Sequence, residues 1–406
     1  MKVKINYGKN LIEVEAKNIC VASPNEVEER DERSVLAHSL DNPIDSEPLS
    51  SFIKDKFLLV VNDAQRPTPT HKVLDVLLDQ IPHKHFTIAI ATGSHAPPTE
   101  EELTYILGSH YPKVKNQIHI HSAKDSPHTY YGTTSQGVDI YLDTILDQFS
   151  KVVVITSVEP HYFAGLSGGR KSFLPGLAAH TTIEQNHKFA LEKEAVNFAL
   201  KGNPVHECME EAAHLIKKDI FCINLVLDKN RHIFTSSCGD IFRSFYEAAK
   251  ASEKVYCVPT PKSNLVLTAA PYPMDISLYQ AQKAIENGKL ALNDGGILIL
   301  VAQCWGGIGP DTFYQLLKTC HTPDEAFEVL KKGYKLGYHK AAKIAELTSR
   351  AEIWAVTDLE PQILRDVFMK PYSSVQKAVD DAQRLRDGGL LVLPEGSMTV
   401  PVCKDH

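Results

Sequence analysis

Four short segments hold most of the polar side chains able to do chemistry, and each follows or leads out of an apolar run. After FLLVV (57–61) comes NDAQRPTPT, which places the carboxylate of Asp63 close to the cation of Arg66. After FTIAIA (86–91) comes TGSHAPPT, where Gly93 lets the chain turn and two prolines stiffen the loop bearing His95. After VVVIT (152–156) comes EPHYFAGLSGGRKSFLPGLAAHTTIEQNHKF, with His161 at its start. Within it, GLSGGRKS packs Gly168, Gly169, Arg170 and Lys171 together. Imidazoles exchange protons near neutral pH, so His95 and His161 are acid/base candidates. A glycine loop beside cations can offer N–H groups and charge to a phosphate. Its spacing is not that of a P-loop, because Arg170 stands between the last glycine and Lys171. His187 lies sixteen residues beyond Lys171 in a helical pattern and is a candidate metal ligand through a neutral imidazole. The fourth segment, DISLYQAQKAI (275–285), puts Tyr279, Gln280 and Lys283 on one helix face at spacings of three and four. Taken singly, each has a plain structural reading: a surface arginine, a packing histidine, a solvated helix face.

The elements that must position these residues follow from hydrophobic pattern. Besides the three runs above, IHIHS (118–122), FCINLVL (221–227), NLVLTAA (264–270), GILILVA (296–302), EIWAV (352–356) and GLLVLP (389–394) read as strands. Most lack alternation, as strands buried on both faces do. Helical patterns lie between them at 71–81, 99–109, 323–347 and 374–386, and Thr99 with Glu102 forms a capping box. Strands alternating with helices predict α/β layers with largely parallel sheets, and open sheets of this kind bind ligands outside the carboxyl ends of their strands.

With 406 residues, two domains are expected. The boundary is placed at APYPMD (270–275), giving domains 1–272 and 273–406 with an active-site cleft between them; a return of the final residues to the first domain stays open. Residues 22–50, rich in Pro, Ser, Glu and Asp, read as an exposed connection. Hydrophobic residues make up 43% and charged residues 23%, with a net charge of −7, a poor match to a nucleic-acid surface. The eight cysteines form no CxxC pair, which argues against a zinc ribbon or redox dithiol and fits a reducing cytoplasm. The N-terminus alternates like a strand and no apolar run nears the roughly 20 residues that span a bilayer, so a cytoplasmic protein without membrane contact is expected.

Read in order, DAQRP, TGSH, EPHYFAGLSGGRKSFLPG, NH and YQAQK resemble the nickel-dependent lactate racemase family over most of the chain. The resemblance implies a racemase or epimerase that inverts the hydroxyl-bearing carbon of a 2-hydroxy acid. It implies a nickel-pincer nucleotide as cofactor, a pyridinium mononucleotide with two sulfur-containing groups, supplied by cofactor-synthesis enzymes. Lys171 would attach it covalently, and His187 would complete the nickel coordination, imidazole and sulfur both being suited to that metal. Asp63, Gly168 and Gly169 would also serve the cofactor, with Asp63 orienting either it or a catalytic group. His95 and His161 would be the acid/base pair, and Arg66, Tyr279, Gln280 and Lys283 would bind substrate. An α-hydrogen beside a carboxylate is too weakly acidic for a histidine to remove as a proton. Hydride transfer to and from the cofactor, with a histidine taking the hydroxyl proton, avoids that step. The pattern departs at LGYHKAAK (336–343), where lactate racemases carry a pocket tryptophan. Tyr338, His339 or Lys340 would face the substrate there, which points to an acid larger or more polar than lactate. The alternatives are a phosphate-loop kinase or hydrolase and a non-catalytic nickel or nucleotide carrier.

Overall fold

All nine apolar runs form strands, and they sort into two six-stranded sheets in a computed structural model that describes residues 1–54, 56–78 and 86–403. The last three residues of the helical pattern expected at 71–81 lie outside the described residues; the helix itself spans Thr70–Leu77. The chain divides into two compact units, Glu26–Val255 and a second made of Met1–Asn25 with Tyr256–His406.

In the unit Glu26–Val255, the sheet runs in the order Ile233–Asp240, Asp219–Leu227, Lys151–Ser157, Phe57–Asn62, Phe86–Ala91, Ile118–Ile120. Every neighbouring pair is parallel except the first. Phe57 through Val61 are wholly buried, as an unalternating run between two covered faces requires. Burying each such side chain contributes about 1.5–3 kcal/mol. From the central strand Phe57–Asn62 the chain first builds outward through Phe86–Ala91, then returns to add Lys151–Ser157 on the other side. That reversal opens a crevice beyond the carboxyl ends of the two strands, and the loops carrying Asp63 and His161 leave from there. Residues 22–50 are not merely an exposed connection. They contain the helix Glu32–Asp41, capped by Asp31, whose Leu36 and Leu40 join the core under the sheet.

The second unit has an all-parallel sheet ordered Met369–Tyr372, Glu352–Val356, Leu292–Val301, Ser263–Ala269, Leu390–Leu393, Ile19–Val21. The boundary expected at 272/273 is therefore displaced. Ser263–Ala269 is a central strand of this sheet rather than the last strand of the preceding domain, and the cut falls at Val255/Tyr256. The N-terminus belongs here too. Its hairpin, Lys2–Tyr7 paired with Asn10–Glu15, packs Ile5 and Val14 against Leu265, Ile297 and Trp354. The last described strand, Val400–Val402, pairs with Cys257–Pro259 in this same unit. The pattern expected as one helix at 323–347 is two, Pro323–Lys332 and Tyr338–Thr348. Gly333 and Gly337 separate them, both at positive φ (157° and 103°) that a right-handed helix cannot hold. The helix that follows Ser263–Ala269 spans Leu278–Gly288, and Ser277 caps it by accepting from the Gln280 N–H.

Candidate active site

Asp63 ends the central strand of the first sheet and is buried, while His95 stands on the turn after the adjacent strand. Parallel pairing of Asn62 with Ala91 sets the two loops side by side. His95 Nδ1 lies 2.5 Å from Asp63 Oδ2, a charge-assisted hydrogen bond that turns the Nε2 edge outward from the carboxylate. Gly93, at φ +56°, makes the turn possible, and its N–H donates to the Gly176 carbonyl at 2.9 Å. The turn bearing His95 is thereby tied to the end of the loop that begins at Glu159. Of the two roles considered for Asp63, orienting the cofactor or a catalytic group, the contact seen is with His95. Arg66 is half-buried beside them, and its guanidinium makes no hydrogen bond or ion pair among the described residues.

His161 is buried in a short antiparallel pairing of Pro160–His161 with Gly165–Leu166. The Ala164 N–H donates to His161 Nδ1 at 3.2 Å, so the ring proton sits on Nε2. The Phe163 ring lies 4.5 Å from His161 and 5.1 Å from His187, which projects from the helix His180–Lys188. One aromatic side chain thus brings two of the expected histidines around itself. Lys171 lies in the tight turn Gly169–Ser172 and is buried.

The glycine loop does not offer a row of N–H groups as a phosphate loop would. The Leu166, Ser167, Gly169 and Lys171 N–H groups already donate to Ala164, Glu159, the Asn224 side chain and Gly168. Gly168 and Gly169 instead supply positive φ, +91° and +45°, and a Cβ on Gly168 would come within 2.5 Å of Val158. Sequence reasoning also missed the floor beneath this loop. Ser157 Oγ lies 2.8 Å from Thr68 and donates to buried Glu159, while Ser167 Oγ donates to the Ser157 carbonyl. The chain links the loop after Asp63 to the loop around His161. Its only sequence signal was a run of small hydroxyls at strand ends.

Tyr279, Gln280 and Lys283 lie in the other unit, on the first turns of the helix Leu278–Gly288, at the carboxyl end of its central strand. The Tyr279 N–H donates to Ile308 and its ring packs against Phe313 at 5.5 Å. Burial pushes its phenol well above the ordinary value. Of the residues at LGYHKAAK, His339 is buried with Nδ1 2.7 Å from the Tyr334 hydroxyl, and buried Lys340 places its ammonium 3.9 Å over the Tyr279 ring while donating to the Tyr279 carbonyl. Trp354 is a fully buried strand residue, whereas Trp305 is half exposed in the loop after Leu292–Val301. Among the described residues no three His, Cys, Asp or Glu side chains are grouped to hold a metal by themselves, and no helix is long and apolar enough to cross a membrane.

Comparison with known proteins gives the family. The family model for the lactate racemase N-terminal domain matches residues 6–198, and that for the C-terminal domain matches residues 258–400. Lactate racemase of Thermoanaerobacterium thermosaccharolyticum is 29% identical over 384 residues, covering 90% of this chain and 89% of that protein. Lactate racemase of Lactiplantibacillus plantarum is 29% identical over 382 residues, covering 90% of each. The solved lactate racemase apoprotein from T. thermosaccharolyticum superposes with a TM-score of 0.90 at 26% identity, covering 99% of this chain and 100% of that one. A solved protein from Thermotoga maritima, at 17% identity and a TM-score of 0.73 over 92% of this chain and 98% of its own, shares the fold alone. With both domain models matched in order, this chain belongs to the lactate racemase family and is an isomerase of the racemase type.

Proposed function

We propose that this chain inverts the hydroxyl-bearing carbon of a 2-hydroxy acid larger or more polar than lactate, using a nickel-pincer nucleotide. The observation that carries the reading is the Asp63–His95 pair beside a half-buried arginine without a partner among the described residues. Such a corner offers a proton acceptor and a carboxylate anchor together. The donor set of this unit fits the cofactor. One buried lysine can attach it and one imidazole, His187, can add a ligand to a metal whose other ligands arrive with the nucleotide. When bound, the nucleotide supplies the hydride acceptor.

The chain's own residues bind, orient and move protons. Arg66, a planar fork, is assigned to the substrate carboxylate, and Lys283, a point charge, to substrate binding. Tyr279 and Gln280 line the substrate; the absence of a tryptophan at 336–343, where Lys340 instead braces the Tyr279 ring, is what favours a polar or longer side chain. Gly168 and Gly169 shape the turn that presents Lys171. His95, its Nδ1–H held by Asp63, accepts a hydroxyl proton at Nε2. His161 faces the oxygen on the opposite side with Nε2 and donates from there as the doubly protonated imidazolium, its Nδ1 then carrying a proton in place of the bond from Ala164. Turnover in the opposite sense requires His161 to accept at Nε2. Its remaining proton must then lie on Nδ1, and the Ala164 bond is given up.

The protein is assigned to the cytoplasm, with cofactor-synthesis enzymes as its partners. The test is co-expression with those enzymes, nickel analysis and intact mass, then a screen of 2-hydroxy acids for inversion. Substrate deuterated at the α-carbon should keep its deuterium through inversion. Wholesale exchange with solvent would refute hydride transfer and favour deprotonation.

A further inference from the structure

We propose that Arg170 is a positioning residue that holds the segment between His161 and Lys171 in shape by gathering four of its backbone carbonyls onto one guanidinium. The roles given to His161 and Lys171 rest on the racemase reading; the gathering itself does not. Arg170 is 1% exposed. Its NH1 donates to the carbonyls of Ser167 (3.2 Å) and Gly168 (3.3 Å), and its NH2 to those of Ala164 (3.2 Å) and Leu166 (3.0 Å). Phe245 covers the guanidinium at 4.2 Å. No carboxylate lies within ion-pair distance of it among the described residues. Burial lowers its pKa to about 10, with Glu210 and Tyr246 opposing that shift, so it stays charged at neutral pH.

A buried charge without a carboxylate is costly unless other groups solvate it. Here the loop's own carbonyls do so. Turning them inward needs left-handed backbone, which Gly165 (φ +73°), Gly168 (+91°) and Gly169 (+45°) supply. A Cβ at Gly165 would meet the Ala199 carbonyl at 2.2 Å. The glycines that look like a phosphate cradle in sequence therefore form a cage for the loop's own arginine. Without the cation, four convergent carbonyl dipoles repel one another and the loop opens.

Two expected site residues depend on this cage. Ala164 gives its carbonyl to Arg170 and its N–H to His161 Nδ1, so one residue connects the guanidinium to the imidazole. Lys171 follows directly, and the Arg170 carbonyl accepts from the Phe173 and Leu174 N–H groups that close the turn around it. A lysine cannot substitute, because an ammonium is a point with three donors whereas the planar fork reaches four acceptors.

The test uses R170M and R170K in the full chain, with folding followed by circular dichroism and melting. In apoprotein labelled with 15N-histidine, wild-type His161 should show Nε2–H and an unprotonated Nδ1, its signals identified by their loss in H161A. Both Arg170 variants should show a mixture of tautomers. In protein produced with the cofactor-making enzymes, both should show reduced attachment at Lys171 by intact mass. The loaded fraction should show kcat lowered on the order of 10²-fold, the cost of about 1 Å of misplacement, with KM little changed. A folded R170M with the wild-type tautomer and full attachment would overturn the proposal. If R170M does not fold, R170K decides by the same readouts, and wild-type behaviour in R170K refutes the need for the fork. A changed tautomer in the variants, alongside wild-type holoenzyme that inverts no 2-hydroxy acid, would keep the Arg170 role and remove the racemase reading.

Discussion

Replacing Asp63 by Asn probes the proton acceptor while keeping the shape of the side chain. In the folded protein the carboxylate is almost fully buried, at 7% side-chain exposure, and the imidazole it holds is 25% exposed. The 2.5 Å contact is of the charge-assisted kind. A hydrogen bond to a charged group contributes about 1.5–3 kcal/mol, which at about 1.4 kcal/mol per tenfold corresponds to roughly 10- to 10²-fold in rate. If the carboxamide oxygen faces Nδ1, orientation survives and only the charge is lost, giving the lower end. If the amide nitrogen faces it, Nδ1 must accept, the proton moves to Nε2 and the acceptor edge is blocked, giving the upper end or beyond. The assay is initial inversion rate from each pure enantiomer at saturation, normalised to cofactor occupancy from intact mass and nickel content. D63N should load cofactor normally and lose turnover with both enantiomers, because a complete inversion uses both histidines. A fully loaded D63N with kcat indistinguishable from the parent would refute the assignment of His95 as an Asp63-held proton acceptor.

K171A should fold normally yet show no covalent cofactor mass after denaturation, whereas H187A should retain the nucleotide and lose nickel; the full cofactor mass on denatured K171A would contradict the attachment site. The Asp143 carboxyl is pushed up by burial but held well below its usual range by hydrogen bonds from His119, His121 and the Ile145 N–H. Its depressed pKa stabilises the fold fully above the ordinary value of 3.8 and progressively less as pH falls below it. The melting temperature of D143N should therefore depend less steeply on pH in that acid range, and an unchanged acid slope would count against the pairing. Trp354 is wholly buried with its ring stacked on Tyr372 at 4.8 Å, so W354A should cost about 3–5 kcal/mol in urea unfolding. A loss of only about 0.5 kcal/mol, as for a surface change, would show that the ring is not part of the core.

The nine strands were legible in the sequence because a strand covered on both faces must be apolar at every position, and FLLVV or GILILVA leaves no other economical place for its side chains. The start of the helix Glu100–Leu107 was legible because Thr99 and Glu102 satisfy its first N–H groups through neighbours three residues apart. The location of the polar segments at strand ends followed from the same local pattern. What only tertiary structure decided depends on partners far apart in the chain. Ser263–Ala269 reads like any buried strand, and its central place in the second sheet comes from pairing with Leu292–Val301 and Leu390–Leu393. The N-terminal hairpin joins that unit because its Ile5 and Val14 find an apolar face made by residues more than two hundred positions away. Asp63 could be seen as a carboxylate but not as the partner of His95, since the contact arises from parallel pairing of two strands. Arg170 is the sharpest case. In sequence it is a cation among glycines, which suggests an external anion; in the fold, left-handed glycines turn four carbonyls inward and the loop solvates the charge itself. Residue type sets what a side chain can bind, but backbone direction sets whether N–H or C=O groups face it, and that direction is determined by the packing around the loop.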